Sequence, residues 1–205
     1  MRNPATTRAL ALAAAFALLG GCAGLQPPPV EHTNIYLLDA RPVAGPERPN
    51  RDLVLAVDVP RAQPGFDTAR IAYVREPHRL DYYARNRWAD TPARMLAPLI
   101  AQALEQSRGF RAVVRMPNVV PADLRLDTDL VRLQHDFGTK PSRVQLTLRA
   151  RLIDVPRQRV LATRVFDEIE SAPTEDAYGG VIAANGALQR LLARLADFCV
   201  EASAR

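Results

Sequence analysis

The 205-residue sequence has few of the residues from which reactive sites are usually built, since it holds three histidines and two cysteines. It contains no Gly-x-Ser-x-Gly elbow, no His-Glu-x-x-His pair, no phosphate loop and no Cys-x-x-Cys. His32, His78 and His135 stand far apart in the sequence, and each is predicted to be solvated or structural. We therefore expect no enzymatic activity and no cofactor.

The sequence also lacks an apolar run long enough to span a bilayer. The stretch 9–19 has about half of the roughly 20 residues that a membrane-spanning helix needs. Two arginines precede it and Leu19-Gly20-Gly21-Cys22 closes it, which is the order of a bacterial lipoprotein signal. Residues 1–21 are predicted to be removed and Cys22 to carry the lipid. The alternative is an ordinary secretory signal with a chance cysteine.

Lipid attachment at Cys22 would leave the second cysteine, Cys199, without a partner in the chain. Cys199 follows Phe198 on the apolar side of a predicted helix, where free cysteine usually behaves as a small core residue. An intermolecular disulfide or a reactive thiol is the alternative.

A short Pro-rich tether is predicted between the lipid and the folded part of the chain. Residues 22–32 include Pro27-Pro28-Pro29, which favours an extended conformation, and residues 33–205 are predicted to form a single domain. Ala23 follows the cysteine. In Gram-negative lipoproteins, which this signal resembles, Asp at that position tends to retain the protein in the inner membrane. We therefore expect attachment to the outer membrane, facing the periplasm.

The sequence has little excess charge. Removal of residues 1–21 leaves 25 basic residues against 22 acidic ones, and the basic residues are scattered instead of forming one stripe. This excludes a typical nucleic-acid interface. Asp127 and Asp129 lie on the same side of a predicted strand and could offer oxygens to Ca²⁺, but no glycine-turned ligand loop surrounds them. They are predicted to lie on a solvated sheet face, and no metal site is expected.

Apolar patterning predicts strands and one helix in the first half. The helix is predicted to begin at Pro92, with Thr91 as its N-cap, and to stop at Gly109. Pro98 is predicted either to kink this helix or to mark its effective start. Prolines and a glycine predict a loop over 41–51. The predicted strands cover 34–39, 53–59, 71–75, 80–84 and 110–115.

The second half shows clearer periodicity. Apolar residues alternate with polar ones over 144–152, a turn is predicted at 154–158, and the chain returns as a strand over 160–169. The apolar phase of the preceding strand shifts after Leu130, which predicts a bulge. A final helix is predicted with Thr174 as its cap and an apolar stripe that includes Tyr178. These elements predict an α+β fold with a largely antiparallel sheet and two main helices packed on one face.

Five features of the sequence carry a family resemblance when they are taken together. They are the lipobox, the strand Ile35-Tyr36-Leu37-Leu38, the segment Asn86-Arg87-Trp88-Ala89-Asp90 before a Pro-started helix, the hairpin over 144–166 and the Ala/Leu-rich final helix. In this combination the sequence resembles the ABC-type transport auxiliary lipoproteins. The resemblance runs from about His32 to Ala202. It departs near the end of the last helix, where relatives often have tryptophan and this chain has Phe198.

The resemblance implies an accessory subunit of a transporter of the mammalian-cell-entry (MCE) type. Such a subunit would dock to an MCE protein whose inner-membrane end joins a permease and an ATPase, while phospholipid moves between the two membranes. A homo-oligomer would suit such a conduit. Two alternatives stay open, namely an outer-membrane lipoprotein that acts as an envelope assembly or scaffold factor, and a periplasmic hydrolase with an unrecognised site.

Aromatic and arginine residues cluster just before the first helix. Both residue types are favoured at protein interfaces, and arginine also suits lipid phosphate. The candidate partner or lipid contacts are Tyr82, Tyr83, Arg85, Arg87 and Trp88. The alternative for Trp88 is that it packs onto the first helix as a core residue.

Overall fold

The computed structural model describes residues 32–41, 50–117 and 119–204. The predicted signal peptide, Cys22 and nearly all of the tether lie outside the described residues, as does most of the predicted loop over 41–51. Residues Thr33–Arg205 form one compact unit. Within the described ranges, no helix combines the length and the apolar character that crossing a bilayer requires.

The described part of the chain contains nine strands and two helices. They are β1 (Asn34–Tyr36), β2 (Arg51–Val57), β3 (Arg61–Ala62), β4 (Arg70–Val74), β5 (Asp81–Trp88), α1 (Pro92–Gln106), β6 (Phe110–Arg115), β7 (Leu124–Asp136), β8 (Arg143–Asp154), β9 (Arg159–Ser171) and α2 (Ala177–Ala202). Strand β1 is shorter than the predicted strand over 34–39. Strand β5 is longer than the predicted strand over 80–84, because it continues to Trp88.

Strand β7 is the centre of the sheet. Along one edge it pairs antiparallel with β8 over nearly its whole length, and β8 pairs in the same way with β9. Along its other edge it runs parallel to β2, β3 and β4 in turn. Strand β6 extends the sheet beyond β2, while β5 and then β1 extend it beyond β4. The α+β class and the largely antiparallel sheet are confirmed, whereas the sequence pattern does not predict the parallel pairings.

The core forms between one face of this sheet and both helices. On β8 the alternating residues Leu148, Ala150 and Leu152 are fully buried, as the period-two pattern predicts. They belong to one apolar cluster with Ile100 of α1 and Leu188 of α2. Each fully buried leucine contributes about 1.5–3 kcal/mol through the hydrophobic effect. This shared core holds both helices on the same face of the sheet.

The bulge predicted in β7 is confirmed. Its pairing with β8 shifts between Leu130 and Arg132, so the strand accommodates one extra residue there. The shift lets Leu130 and Leu133 both point into the core, although they are an odd number of positions apart. Without the extra residue, one of the two leucines would lie on the opposite face.

Helix α1 begins at Pro92, as predicted. Thr91 precedes it in an extended conformation, but its side chain makes no capping hydrogen bond. Pro98 lies inside the helix and is exposed, and α1 is continuous from Pro92 to Gln106. The alternative that the helix starts near Pro98 is therefore wrong.

Helix α2 is capped by a different residue from the one predicted. Asp176 accepts a hydrogen bond from the backbone N–H of Gly179 at 2.7 Å, and the hydroxyl of Thr174 donates to the same carboxylate. Aspartate is among the best capping residues, and its negative charge suits the N-terminal end of the helix dipole. Tyr178 is 57% exposed and lies beside Tyr36 with ring centroids 6.2 Å apart, so it is outside the predicted apolar stripe.

Candidate functional site

Strand β5 carries all five candidate contact residues, but it does not present them on one surface. Trp88 is 3% exposed and belongs to the apolar core. Its backbone N–H donates to the carbonyl oxygen of Ala69 at 2.7 Å, which fixes the end of β5. Trp88 therefore offers no surface to a partner, and its burial agrees with the core alternative.

A cavity of about 450 Å³ opens beside β5 and β4. Three residues of the predicted contact set line it, namely Tyr82, Tyr83 and Arg87. Thr33, the first residue of the compact unit, lines it as well, and so does Arg70 from β4. The volume lies within the range of small-ligand pockets.

Arg70 is held in place by Tyr82. Its guanidinium carbon lies 3.8 Å from the centroid of the Tyr82 ring, within the range of a cation–π contact. The Tyr82 hydroxyl in turn donates to the carbonyl oxygen of Gly65 at 2.9 Å. Gly65 has a positive φ of 92°, and a Cβ there would lie 2.9 Å from the Leu80 Cδ2 atom. The turn thus requires glycine, and it anchors the ring on which Arg70 stacks.

Arg87 lies directly opposite Arg70 in the pairing of β4 with β5. Like charges at such a position repel one another and destabilise the pair of strands. Among the residues that the structure describes, neither guanidinium forms an ion pair with a carboxylate. Arg85 is also exposed, but it does not line this cavity. The cavity therefore concentrates positive charge that the surrounding side chains do not neutralise.

Tyr83 also belongs to a buried polar network, whose members lie far apart in the sequence and are not predicted to meet. The Tyr83 hydroxyl lies 3.0 Å from Nδ1 of His135, and Nε2 of His135 lies 2.8 Å from Oγ of Ser142. The backbone N–H of Ser142 donates to Oε1 of Glu175 at 2.8 Å. The network joins β5, β7, the start of β8 and the residues just before α2. The burial and hydrogen bonds of His135 agree with a structural role, which is one of the two roles predicted for it.

Burial sets the protonation of this network. It lowers the pKa of His135 against the opposing effect of the Glu175, Asp176 and Asp136 carboxylates. It also raises the pKa of Tyr83. Ser142 is 0% exposed, so the Ser142–His135 pair has no access to a substrate in this conformation. The arrangement favours neutral groups that tie segments together.

Asp127 and Asp129, which are predicted to lie on a solvated sheet face without a metal ion, each form an ion pair with an arginine. Asp127 accepts a hydrogen bond from Nε of Arg125 at 2.8 Å, and Asp129 accepts one from Nε of Arg61 at 3.1 Å. Burial raises the pKa of the adjacent Asp58, and the Asp127 carboxylate adds to this effect. In the described ranges, no three His, Cys, Asp or Glu side chains come together in a way that could hold a metal ion.

Cys199 is buried in the core between α2 and the sheet. Burial raises the pKa of its thiol far above the ordinary value, which disfavours the reactive thiolate. These features agree with the predicted role as a small core residue.

Comparisons with known proteins identify a matching family model and structures of the same fold. A family model described as "ABC-type transport auxiliary lipoprotein component" matches residues 36–197. A crystal structure of a DUF330 protein from Xanthomonas campestris is 26% identical, with a TM-score of 0.77 over 83% of this chain and 97% of that one.

Two more distant structures share the fold alone. An uncharacterized protein is 14% identical with a TM-score of 0.65, over 82% of this chain and 99% of that one. A hypothetical protein from Chlamydia trachomatis is 10% identical with a TM-score of 0.52, over 73% and 98% of the two chains. No curated protein matches the sequence.

Proposed function

Because the chain belongs to the family of ABC-type transport auxiliary lipoprotein components, we propose that it is an accessory subunit of an ABC transport system of the MCE type. In this proposal the lipoprotein docks to the MCE-domain protein and assists the movement of phospholipid between the inner and outer membranes. The observation that carries the proposal is the family match over 36–197, which spans nearly all of the compact unit.

The proposal places the lipid anchor on Cys22 and the folded unit in the periplasm, attached to the outer membrane. The lipobox supports the anchor, and Ala23 in place of aspartate favours the outer membrane. Acyl chains on the thiol and the amine of Cys22 would exceed the two anchors that stable attachment requires.

In the proposed assembly the cytoplasmic ATPase supplies the energy, and this subunit carries out no chemistry of its own. The inaccessible Ser142–His135 pair supports this view, because a nucleophilic serine must reach its substrate. The subunit would act through binding surfaces. The cavity that Arg70, Tyr82 and Arg87 line is one candidate for such a surface.

Affinity purification from mild-detergent membranes tests the proposed partner. A tag after Arg205 would allow the lipoprotein to be recovered with its bound proteins, which mass spectrometry identifies. We expect an MCE-domain protein together with a permease and an ATPase. Recovery of envelope assembly factors, without any MCE protein, would contradict the proposal and favour a scaffold role.

The anchor has its own test. Cells grown with labelled palmitate should incorporate the label into the wild-type protein, and C22A should abolish incorporation. C199A is the matched control, because it removes the other cysteine of the chain and should leave the label in place. Label retained by C22A would contradict the assignment of the anchor.

A further inference from the structure

The cavity beside β5 is built around two arginines whose charge the fold leaves available. Arg70 and Arg87 lie opposite one another on paired strands, which costs stability unless an anion lies between them. The only described partner of the Arg70 guanidinium is the face of Tyr82, and the described residues provide none for that of Arg87. Two neighbouring arginines without a carboxylate partner among the described residues suit an anionic ligand.

The position of Arg70 favours a ligand that can accept two hydrogen bonds from one guanidinium group. A guanidinium that lies over the face of an aromatic ring uses that face and not its N–H groups, so these remain free to donate. The hydrogen bond from Tyr82 to Gly65 fixes that ring, so the position of Arg70 is set before any ligand arrives. Arginine forks match the oxygen spacing of phosphate, and bidentate contacts of this kind are among the stronger hydrogen bonds.

Apolar surface lies next to this charge. In the pairing of β1 with β5, Ile35 is directly opposite Arg87, and Ile35 is 64% exposed. Ile35 is not among the residues that line the cavity, but it is the neighbour of Arg87 across the strand pair. A ligand that extends from Arg87 towards β1 would therefore meet an exposed aliphatic side chain. This combination suits a phosphate that is joined to an apolar group better than it suits a free ion.

The cavity lies where the chain emerges from the compact unit. Thr33 lines it, and Thr33 follows the predicted lipid-bearing residue by eleven positions. An extended chain spans at most about 3.3–3.6 Å per residue, so the headgroup layer would be within about 40 Å along the chain. The anchor would thus keep a high local concentration of phospholipid near the cavity.

From these observations we propose that the cavity between Arg70 and Arg87 binds the phosphate group of a phosphate ester, such as a phospholipid headgroup. Arg70 and Arg87 bind the phosphate oxygens, and Ile35 lies beside the apolar part of the ligand. This proposal rests on the proposed function, because it names what the accessory subunit would bind during lipid movement.

Native mass spectrometry of the full-length mature lipoprotein in non-ionic detergent tests the site. The probes are dioleoylphosphatidylglycerol, dioleoylglycerol, which lacks the phosphate, and inorganic phosphate. We expect wild-type protein to retain one added phosphatidylglycerol and no dioleoylglycerol. The variant R70Q/R87Q should lose at least about tenfold of the bound fraction, and R87Q alone should show an intermediate loss. Millimolar phosphate should compete.

The matched control is R115Q/R149Q, which removes the same charge from two exposed arginines on β6 and β8. It should retain phosphatidylglycerol within about twofold of wild type. Thermal unfolding should show all variants folded, because Arg70 and Arg87 are exposed and repel one another. If R70Q weakens the fold through the loss of its contact with Tyr82, the comparison of R87Q with wild type tests the site.

Each outcome has a distinct meaning. Binding of inorganic phosphate without phosphatidylglycerol would support the phosphate site and assign it to a free phosphate. Equal losses in R70Q/R87Q and R115Q/R149Q, or no binding of any probe, would overturn the site. Recovery of the MCE protein by affinity purification in that case would leave the accessory function intact, so the two proposals can fail separately.

Discussion

His135 illustrates how single residues stabilise this fold in a protonation-dependent way. Its ring is 2% exposed and contacts Tyr83 and Ser142 through its two nitrogens. Burial lowers its pKa below the ordinary value of 6.5, so the unfolded chain takes up the proton more readily than the folded chain. The neutral ring therefore contributes fully to the free energy of unfolding above about pH 7. This contribution declines as the pH falls through 6.5 towards the lowered pKa.

The loss of stability at lower pH gives a first prediction. As the pH falls from 7.5 to 5.5, the wild-type protein should lose unfolding free energy through His135, by at most about 1.4 kcal/mol for each pH unit below 6.5. H135Q should be less stable at both pH values but should show a smaller loss between them. Urea unfolding followed by circular dichroism at the two pH values measures this difference.

H78Q is the control, because His78 is exposed on the turn between β4 and β5. It should keep the pH dependence of the wild type. The account of the network is wrong if H135Q and wild type lose the same free energy over this interval.

Two buried threonines give a second prediction at the residue scale. Thr128 is 2% exposed, and its hydroxyl oxygen has no hydrogen-bond partner in the described part of the chain. Thr147, by contrast, donates to the carboxylate of Asp167. T128V should raise the unfolding free energy by up to about 1 kcal/mol, whereas T147V should lower it by a similar amount. Denaturant titrations of both variants decide the point, and a destabilised T128V would contradict the assignment.

At the scale of elements, the first turns of α2 depend on close contact with the sheet. A Cβ on Gly180 would lie 2.6 Å from Nδ1 of His135, which real Cβ contacts essentially never reach. G180A should therefore cost about 1–3 kcal/mol, since either the ring or the helix must move. Gly186 lies further along the same helix, where a Cβ would lie 3.4 Å from Cγ of Glu170.

G186A is the matched control for this contact. Alanine is a better helix former than glycine by about 1 kcal/mol, and the space at Gly186 accommodates it. G186A should keep or raise the midpoint of thermal unfolding, and G180A should lower it. Equal effects of the two substitutions would show that the glycines matter through helix propensity alone.

The sequence predicts the long elements well because their periodicity is local. The alternation over 144–152 lies inside β8, and the predicted bulge occurs after Leu130. The parallel pairings of β7 with β2, β3 and β4 depend on contacts between distant segments, and β3 has two residues. Short segments of this kind carry no usable period.

The sequence does not decide which of two neighbouring residues caps α2. Thr174 and Asp176 are both good capping residues, and they are two positions apart. Only the extended backbone at Asp176 and its bond to the Gly179 N–H decide between them. Sequence patterns predict that a cap is present more readily than they predict which residue forms it.

The sequence predicts the candidate site only in part, because the site combines residues from two strands. Clustering along the chain identifies Tyr82 and Arg87, and both line the cavity. It does not identify Arg70, which lies on β4 and comes opposite Arg87 only through the irregular pairing of β4 with β5. Trp88 and Tyr83 turn towards the core and His135, although they are five positions apart, and regular strand alternation would place them on opposite faces. The pairing of β5 with β4 is irregular between Tyr82 and Arg87, and no local pattern in the sequence predicts this.

At the scale of the whole molecule, one compact unit follows a predicted lipid anchor and a short tether. The helices and one sheet face form the core, and the Arg70–Arg87 cavity lies beside Thr33, where the unit begins. This arrangement suits a subunit that works at a membrane surface beside a larger transporter. The fold and family are those of transport auxiliary lipoproteins.

The central claim is that this protein is a subunit of an MCE-type transport system, and direct binding tests it most closely. The purified mature lipoprotein would be mixed in non-ionic detergent with the purified MCE-domain protein from the same cell, and size-exclusion chromatography with light scattering would give the mass of any complex. We predict a complex of defined stoichiometry that forms at micromolar concentrations. Two separate peaks at those concentrations, with both proteins shown to be folded, would contradict the account.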